Sequence, residues 1–423
     1  MTPDTAYAEL MKFENRADPY PFFDELRKTP VARVANGIYV VTGYRELMAL
    51  AHDPRVSSDS RRSTAALQPA AKARPESETN PMEAYGSARS MINSDPPDHD
   101  RARRQAMQFF GPPHSPDLIP KMEPDIQRMV NALLDKAKAR GNTRIDVVDD
   151  YAYPLPVSVI CNVLGVPLKD EQRFHVWVSD VFEGKDLGPE AATEEGKRRS
   201  EKARASAEAI TEYMIGLVEQ FAREPGEGML SKMVNEDGPE GRMPPGEVVP
   251  NALLLLVAGH DSTVNLIAHC VLTLLRNPGS FELLRGRPEL IPGAIEEVLR
   301  LQSSVQFFPS RSATADIEIN GTVIPKGSPI FLMYGAANRD PGRFPNPNQF
   351  DPERRDNQHL GWASGIHTCF GGPLARLEVN IALEVFLRRV VNPRLVVDPP
   401  PYRRSMIFRG PRHLLIDIDG IRD

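Results

Sequence analysis

Residues 359–373 read HLGWASGIHTCFGGP and end where the sequence predicts the start of a helix. The stretch contains one cysteine, Cys369, and is rich in glycine, which permits tight turns and a close approach of the backbone. Pro373 suits the first turn of a helix, where its missing N–H is not needed. The positive end of that helix and the N–H groups of the loop favour a thiolate over a thiol. The stretch therefore predicts a chemically active cysteine, against the more common case of a buried structural one.

The surroundings of Cys369 narrow the kind of metal that it would bind. Zinc is not expected, because no second cysteine or histidine lies at zinc-ligand spacing around it. A single thiolate in a preorganised loop instead suits the proximal ligand of a haem iron.

The composition excludes several classes of protein. The 423 residues carry 51 basic and 57 acidic side chains, a net charge of −6, without a concentrated basic segment, so nucleic-acid binding is not expected. Three widely spaced cysteines argue against a disulfide framework and for a reducing compartment. The N-terminus has no apolar signal segment, and the longest apolar run, residues 252–258, is far shorter than the ~20 residues of a membrane span. We expect a soluble cytoplasmic protein that does not enter a membrane.

Hydrophobic periodicity predicts a mainly helical chain. The helical pattern runs through most of residues 117–235, and the most apolar helix covers about residues 248–276. Between them, residues 224–246 are rich in proline and glycine and predict a connection. Two further helices are predicted at about 290–301 and 373–390.

Short strands are predicted at the edge of this helical body. A β-branched and aromatic run between glycines at 37–43 predicts one strand, and Asn320-Gly321 predicts the turn of a β-hairpin. We therefore expect one domain over residues 1–423, mainly α with small β-sheets. Its β-rich part is expected mainly in residues 30–60 and 305–335.

The spacing within the cysteine stretch resembles that of a known family. Trp362-x-x-Gly365-x-His367-x-Cys369-x-Gly371 is similar to the haem-ligand loop of the cytochrome P-450 family. The resemblance implies the cytochrome P-450 fold, with haem b between the central long helix and the helix after the cysteine loop. It also implies that Cys369 binds the iron and that Gly371 belongs to the cofactor-binding loop. The family usually has phenylalanine where Trp362 stands, so altered hydrogen bonding of the sulfur and an altered redox potential are expected.

The resemblance also assigns four basic residues to the haem propionates, which are the two carboxylates of the cofactor. These residues are His99, Arg103, Arg311 and His367. His99 and Arg103 stand at i, i+4 and share one helical face. Guanidinium and imidazole groups are suitable partners for carboxylates. Each residue alone is more often a solvated surface group, so the assignment depends on the whole set.

The apolar helix carries an acid beside an alcohol. Gly259 costs that helix about 1 kcal/mol relative to alanine, and Asp261 places an acid in an apolar stretch. A packing glycine and a partly exposed acid are the ordinary interpretation. The resemblance implies instead a widened helical turn that receives dioxygen, with Asp261 and Ser262 relaying protons. The family usually has threonine in place of Ser262, and serine lacks the methyl group that restricts the rotamer, so we expect active but leakier oxygen activation.

Another mark of the family is Glu297-x-x-Arg300. Residues at i, i+3 share a helix face, and a surface salt bridge is the ordinary interpretation. The same spacing occurs at Glu195/Arg198, Glu201/Arg204 and Glu282/Arg285. Position within the chain selects Glu297 and Arg300, and the resemblance pairs them with Arg354. We expect a buried, structural network that supports the haem loop.

Apolar residues that match the walls of the family's pocket are expected to contact substrate. The segments are 82–92 and 176–181, and the residues are Leu254, Ala258, Val305, Phe307, Phe308 and Ile407. The Phe307-Phe308 pair favours a flat or apolar ligand. Core packing is the alternative interpretation for each of them.

These marks together predict a haem-thiolate monooxygenase that inserts one atom of O2 into a small apolar organic molecule. The chain has neither a glycine-rich dinucleotide motif nor a cysteine cluster, so electrons are expected from a 2Fe-2S or 3Fe-4S ferredoxin and its reductase. Arg101, Arg104 and Arg376 are candidates for a basic patch that docks an acidic ferredoxin, with a plain solvated surface as the alternative.

Two other functions use the same cysteine. A peroxide-driven haem-thiolate peroxygenase would not need the acid–alcohol pair, and turnover with hydrogen peroxide instead of NADH would distinguish it. A haem-based gas-binding protein would bind ligands without oxidising a substrate, and the acid at Asp261 argues against it.

Overall fold

The computed structural model describes residues 1–63, 89–141, 143–184 and 188–423. In these ranges the α-helices are α1 (Pro3–Met11), α2 (Tyr20–Arg27), α3 (Tyr44–Ala51), α4 (Asp98–Met107), α5 (Leu118–Lys121), α6 (Glu123–Ala139), α7 (Pro154–Leu164), α8 (Glu171–Glu183), α9 (Glu194–Arg223), α10 (Met229–Asn235), α11 (Pro245–Arg276), α12 (Ser280–Gly286), α13 (Ile291–Gln302), α14 (Tyr334–Ala337) and α15 (Gly372–Arg389). The strands are β1 (Val31–Val34), β2 (Ile38–Val41), β3 (Val56–Ser57), β4 (Arg144–Asp146), β5 (Phe308–Ala313), β6 (Ile317–Ile319), β7 (Thr322–Ile324), β8 (Pro329–Leu332), β9 (Val390–Val391), β10 (Arg394–Leu395), β11 (Leu415–Asp417) and β12 (Gly420–Ile421). The predicted class, mainly α with small sheets, is confirmed.

The central element is α11, a helix of 32 residues that is largely buried between Val248 and Leu274. It packs against α7, α9, α13 and α15. Pro245 stands at the start of α11, where its fixed φ suits the first turn. Among the described residues, α11 is the one helix long and apolar enough to cross a membrane, but 72% of its apolar window is buried inside the protein. Its place in the core therefore accounts for its composition.

A five-stranded sheet has the order β1-β2-β8-β5-β3. β2 and β8 are parallel, and the other neighbours are antiparallel. The predicted hairpin is formed by β6 and β7, with Ile319 opposite Thr322. Asn320 and Gly321 have φ values of 49° and 70°, the positive values that a two-residue hairpin turn of type I′ requires. The prediction of this hairpin and of the strand within 37–43 is confirmed.

The predicted connection over residues 224–246 needs a correction, because it contains α10. The prolines and glycines of the segment flank this helix rather than interrupt it. Met229, Leu230 and Met233 are buried on one side of α10. Burial of an apolar face stabilises a helix of only seven residues that would be marginal in isolation.

The segment before the cysteine loop is tied to α13 by the carboxylate of Glu297. The side chains of Glu297 and Arg300 are fully buried, and Arg300 donates to both carboxylate oxygens at 2.7 Å. Arg354 donates from Nε to the same two oxygens at 3.1 Å. Arg300 also donates to the carbonyls of Asn338 and Pro347, at 2.9 and 2.7 Å. The structure thus brings the three residues of the predicted network together and joins them to two turns of the chain.

Replacement of Glu297 by alanine should lower the free energy of unfolding by about 3–5 kcal/mol, because it leaves two guanidinium groups without their buried partner. The surface pair Glu282–Arg285 has the same i, i+3 spacing, and Glu282 is largely exposed. Glu282→Ala should therefore cost only about 0–1 kcal/mol. Urea unfolding followed by circular dichroism measures both variants, and equal small losses would contradict the prediction.

Candidate active site

The cysteine loop borders a deep cavity. Its volume is about 1230 Å³, including space that is open to solvent. The central helix α11 and the helix α7 contribute one part of its lining, and the cysteine loop with the first turns of α15 contributes another. Of the residues predicted for the site, the cavity is lined by Leu254, Ala258, Ser262, His99, Arg103, Val305, His367, Cys369 and Gly371.

Steric constraints fix the backbone of the cysteine loop. Ala363 and Gly365 have positive φ values of 59° and 73°. A Cβ atom at Gly365 would lie 2.2 Å from the carbonyl oxygen of Ala51, so only glycine fits. The N–H of Cys369 donates to the carbonyl of Trp362 at 2.8 Å. The loop is therefore closed on itself, and its cysteine lines the cavity.

The side chain of Cys369 is accessible from the cavity, although the residue lies deep within the protein. Burial raises the pKa of its thiol, and the Gly371 N–H, Arg103 and the Gly372 N–H act in the opposite direction. The expected preference for a thiolate is thus present in the loop but outweighed by burial. A metal ion would reverse this balance, because coordination deprotonates a thiol outright.

The other two cysteines have different surroundings. Cys161 and Cys270 are buried, and neither lines the cavity. Burial raises the pKa of Cys161 to about 12 and also raises that of Cys270. Both are structural thiols of the core.

Four basic side chains cluster beside the cysteine loop. The rings of His99 and His367 are 4.5 Å apart, and Arg103 donates to the Thr368 carbonyl at 2.8 Å. Burial lowers the pKa of His367 to about 2, and the charges of Arg311, His99 and Arg103 act in the same direction. The structure therefore brings together the four residues that the resemblance assigned to the propionates.

This basic cluster suits the carboxylates of haem b. His99 is buried, and its Nε2 has no hydrogen-bond partner within the described ranges. Burial lowers the pKa of Arg103 and of Arg311, which expresses the cost of removing a cation from water. Anionic groups would give His99 a partner and would offset that cost. With one sulfur lining the same cavity, the residues present fit the cofactor.

The central helix presents Ser262, but not Asp261, to the cavity. The Ser262 hydroxyl donates back to the carbonyl of Ala258 at 2.8 Å. Asp261 is buried, and its Oδ1 accepts a hydrogen bond from Arg403 at 3.0 Å. The acid and the alcohol are adjacent in sequence, but their side chains have different partners.

The expected widening of the helix at Gly259 is wrong, since α11 continues without interruption through this turn. A Cβ atom at Gly259 would lie 3.1 Å from two side-chain carbons of Ile160 in α7. Glycine here permits the close packing of α7 on α11. The ordinary interpretation is right for the packing glycine and wrong for the partly exposed acid, because Asp261 is buried.

Polar aromatic side chains that the sequence reasoning missed lie beside Asp261. His260 Nε2 is 3.9 Å from Asp261 Oδ1, and the ring of Tyr153 is 5.0 Å from that of His260 and 3.8 Å from that of His175. Burial lowers the pKa of His260 to about 4. In the part of the chain that the structure describes, Tyr153 Oη, His175 Nδ1 and His260 Nε2 have no hydrogen-bond partner. These residues come from three segments, so no single motif could have identified them.

Three residues predicted for the substrate pocket do not line the cavity, and core packing explains each one. Phe307 is fully buried and stacks on Phe331 with ring centroids 5.6 Å apart. Ile407 packs against the same cluster. Phe308 lies under the guanidinium of Arg311 at 4.4 Å and packs beside the sheet. Neighbouring residues of an extended chain point to opposite sides, so the two phenylalanines do not form one surface.

The predicted pocket segments have mixed outcomes. Residues 82–88 of the segment 82–92 lie outside the described residues, whereas Met91 and Ile92 line the cavity. The segment 176–181 does not line it, because Val176 is 49% exposed and Val178 is buried in the core. Lining residues that were missed include Ile160, Val163, Leu164, Met229 and Leu299. Their apolar patterns on α7, α10 and α13 resemble those of any buried helix face.

The expected basic patch is neutralised. Three ion pairs account for its charges, namely Arg101–Glu247 at 2.8 Å, Arg104–Glu240 at 2.9 Å and Arg376–Glu296 at 2.7 Å. Because each guanidinium has a carboxylate partner, the three residues do not present an excess of positive charge to a partner protein.

Fold and site together define a class. A mainly helical protein with one accessible cysteine under a central helix, and with a cationic cluster beside it, has the donor set of a haem-thiolate protein. The model of the family described as cytochrome P450 matches residues 288–415. Cytochrome P450 107B1 of Saccharopolyspora erythraea is 34% identical over 412 residues, which are 95% of this chain and 96% of the relative. The 6-deoxyerythronolide B hydroxylase of the same organism is 34% identical over 426 residues, covering 98% of this chain and 100% of the relative.

A comparison with solved structures points to the same family. Mycobacterium smegmatis CYP164A2 with econazole bound has a TM-score of 0.86 at 33% identity, covering 98% of this chain and 100% of that one. The chain belongs to the cytochrome P450 family. It is a monooxygenase that binds haem b, whose iron the family holds through a cysteine thiolate. The predicted cytochrome P450 fold is confirmed.

Glu378 is a buried carboxyl group that the sequence reasoning missed. It lies on α15, lines the cavity and is 3% exposed. Its Oε2 has no hydrogen-bond partner in the described ranges. Burial raises the pKa of Glu378 to about 8, so the folded protein keeps this group protonated near neutral pH.

This raised pKa makes stability depend on pH. Between the ordinary pKa of 4.5 and about 8, the folded state holds a proton that the unfolded state releases, so stability falls as pH rises. At about 1.4 kcal/mol per pK unit, the loss has an upper limit of about 5 kcal/mol. Glu378→Gln should be close to the wild type at pH 5 and more stable than it at pH 8.5, as measured by urea unfolding. The partly exposed Glu384 on the same helix, replaced in the same way, controls for loss of a carboxylate. If the difference in unfolding free energy between Glu378→Gln and the wild type is the same at pH 5 and pH 8.5, the prediction is contradicted.

Proposed function

We propose that the protein is a soluble cytoplasmic monooxygenase that inserts one atom of O2 into a small apolar organic molecule, with the whole chain, 1–423, as one catalytic domain. The observation that carries this proposal is the cavity lined by both Cys369 and Ser262. Leu254, Ala258 and Val305 line the same cavity with apolar side chains, which suit an apolar substrate. The hydroxylase and monooxygenase relatives support the same type of reaction.

Each group around the cofactor has a proposed task. Cys369 is the iron ligand, and Gly371 belongs to the loop that carries it. His99, Arg103, Arg311 and His367 hold the propionates by charge-assisted hydrogen bonds. When bound, haem b supplies the iron at which O2 is activated and from which one oxygen atom is transferred. The network of Glu297, Arg300 and Arg354 keeps the cysteine loop in place.

Asp261 and Ser262 are proposed to control protons on the cavity side of the central helix. The Ser262 hydroxyl donates into the cavity when it releases the carbonyl of Ala258. When Asp261 exchanges Arg403 for a solvent molecule, its carboxylate takes a proton from solvent and passes it on to the serine, which has given up its own. Because the ion pair with Arg403 is buried, this exchange is the controlled step of the relay.

Electrons are proposed to come from a 2Fe-2S or 3Fe-4S ferredoxin and its reductase. Arg101, Arg104 and Arg376 are paired with carboxylates, so docking relies on shape and on exchange of these pairs rather than on free positive charge. The peroxide-driven peroxygenase and the gas-binding protein remain the competing functions. The buried acid Asp261, on the central helix that lines the cavity, supports neither of them.

The thiolate can be tested by the absorption difference spectrum of the dithionite-reduced protein with and without carbon monoxide. We expect the strongly red-shifted Soret band of thiolate ligation in the wild type and its loss in Cys369→Ala. The matched control Cys161→Ala, which removes a buried thiol from the core, should keep the band. Absence of haem from the purified wild type, or a red-shifted band in Cys369→Ala, would overturn the proposal.

Ser262→Thr should increase the amount of product formed per NADH consumed, because the added methyl group restricts the rotamer of the hydroxyl that delivers protons. The measurement uses a surrogate ferredoxin system and any compound that shifts the spin state of the iron. Ser304 also lines the cavity but lies off the central helix, so Ser304→Thr controls for the lost volume. Equal or lower product per NADH in Ser262→Thr would show that the serine does not limit coupling.

A further inference from the structure

The carboxylate of Glu296 collects hydrogen bonds from three side chains around the cysteine loop. The indole Nε1–H of Trp362 donates to its Oε2 at 2.8 Å. Arg376 donates from Nε to its Oε1 at 2.7 Å, and the Nε2 of His359 is 2.9 Å from its Oε2. Glu296 stands on α13, Trp362 and His359 on the cysteine loop, and Arg376 on α15. One carboxylate therefore joins three separate elements.

The hydrogen bonds define the state of these groups. The N–H of Gly361 donates to Nδ1 of His359 at 3.0 Å, so Nδ1 is the acceptor and Nε2–H is the donor toward Glu296. Burial by itself would raise the pKa of Glu296, but the hydrogen bonds with His359, Arg376 and Trp362 outweigh it and lower the pKa to about 2. Glu296 is thus an ionised acceptor for all three donors.

The indole ring is held on two sides as well as at its nitrogen. The guanidinium of Arg376 lies over the ring at 4.5 Å from its centroid, within the range of a cation–π contact. Gly372, at the start of α15, lies beside the ring, since a Cβ atom there would make ordinary van der Waals contact with Trp362 Cε3 at 3.5 Å. The backbone of Trp362 also accepts the N–H of Cys369 at 2.8 Å. The position of the indole and that of the sulfur are therefore coupled through one residue.

We propose that Glu296 is a positioning residue that fixes the indole of Trp362 against the cysteine loop and thereby sets the reduction potential of the haem. The proposal rests on the proposed role of Cys369 as the iron ligand. Groups that surround a metal ligand tune its potential through hydrogen bonding and exclusion of solvent. An indole brings an N–H that needs an acceptor at this half-buried site, and Glu296 is the group that accepts it. Without that acceptor the ring would turn and admit solvent to the sulfur.

Potentiometric titration of the holoprotein tests this role without a substrate or a redox partner. Glu296→Ala removes the acceptor, whereas Glu296→Gln keeps an acceptor oxygen and removes only the charge. We expect Glu296→Ala to change the equilibrium constant of one-electron reduction by a factor on the order of three, which corresponds to about 28 mV at 59 mV per tenfold change. Glu296→Gln should remain near the wild type. Glu123, on α6, and Glu296 line one pocket between α6, α13 and α15, so Glu123→Ala controls for the loss of a nearby carboxylate.

A second pair of variants shows whether Glu296 acts through the indole. In a Trp362→Phe background, Glu296→Ala should no longer shift the potential, because the ring has no N–H to hold. Equal shifts in Glu296→Gln and Glu296→Ala, or an undiminished shift in the Trp362→Phe background, would overturn the proposal in favour of a direct effect of charge. An unchanged potential in Glu296→Ala would also overturn it.

Two further readouts separate this proposal from others. The carbon monoxide spectrum of each variant reports whether the thiolate is still bound, so failure of the proposed ligand is seen independently of the potential. If Glu296→Ala does not fold, ultraviolet resonance Raman spectra of Trp177→Phe protein report the hydrogen bonding of the Trp362 N–H alone, since the chain has two tryptophans. A weakly hydrogen-bonded indole N–H in the Trp177→Phe protein would contradict the proposal. If that N–H is strongly hydrogen-bonded in Trp177→Phe but not in Glu296→Gln/Trp177→Phe, the expectation that glutamine replaces the acceptor would be wrong.

Discussion

The carboxylate of Glu297 is fully buried, and a charge in such a place persists only when it is completely paired. Arg300 supplies one partner from the same helix, and Arg354 supplies the other from the segment that leads into the cysteine loop. The need to pair one buried charge therefore determines where that loop begins. Glu296 is the preceding residue on α13 and points about 100° away around the helix. It contacts the loop itself through Trp362 and His359, so two consecutive glutamates hold the loop by two separate sets of donors.

The sequence predicted those parts of the structure that depend on local chemistry. The positive φ of Gly365 and the helix that starts at Gly372 follow from the glycine and proline spacing of the cysteine stretch. The turn at Asn320-Gly321 follows from a dipeptide that is strongly preferred in a two-residue hairpin loop of this type. Among four pairs of the same i, i+3 spacing, however, only position in the chain and family resemblance selected Glu297. The burial of Glu297 and Arg300 depends on tertiary contacts, so it cannot be predicted from the two residue types and their spacing.

The predictions that failed depend on which side of an element faces which neighbour. Phe307 and Phe308 are both apolar, but one stacks in the core on Phe331 and the other lies under Arg311. Gly259 packs against Ile160, a residue nearly a hundred positions earlier, so its role is invisible within α11. Arg101, Arg104 and Arg376 appeared free because their carboxylate partners are distant in sequence. In each case the deciding contact is long-range, and a pattern of a few residues cannot supply it.

The two charged regions around the cavity, the basic cluster and the pair Asp261–Arg403, differ in whether a counter-charge is present. The cluster of His99, Arg103, Arg311 and His367 is basic, and burial makes its charge costly until anionic groups are present. Asp261, by contrast, already has its counter-charge in Arg403. Arg403 lies in the segment 402–411. Within this segment Tyr402 forms a β-bridge with Pro411, and Phe408 forms a second β-bridge with Val305.

Val305 lines the cavity, so the wall that would contact a substrate is held by the same segment that holds the partner of Asp261. A shift of that wall on binding would move Arg403 relative to the acid and change how tightly the carboxylate is held. For the proposed proton relay, substrate fit and proton supply are therefore not independent in this chain. The link follows because Arg403, the buried guanidinium that donates to the acid, lies on a segment that also contacts the pocket wall.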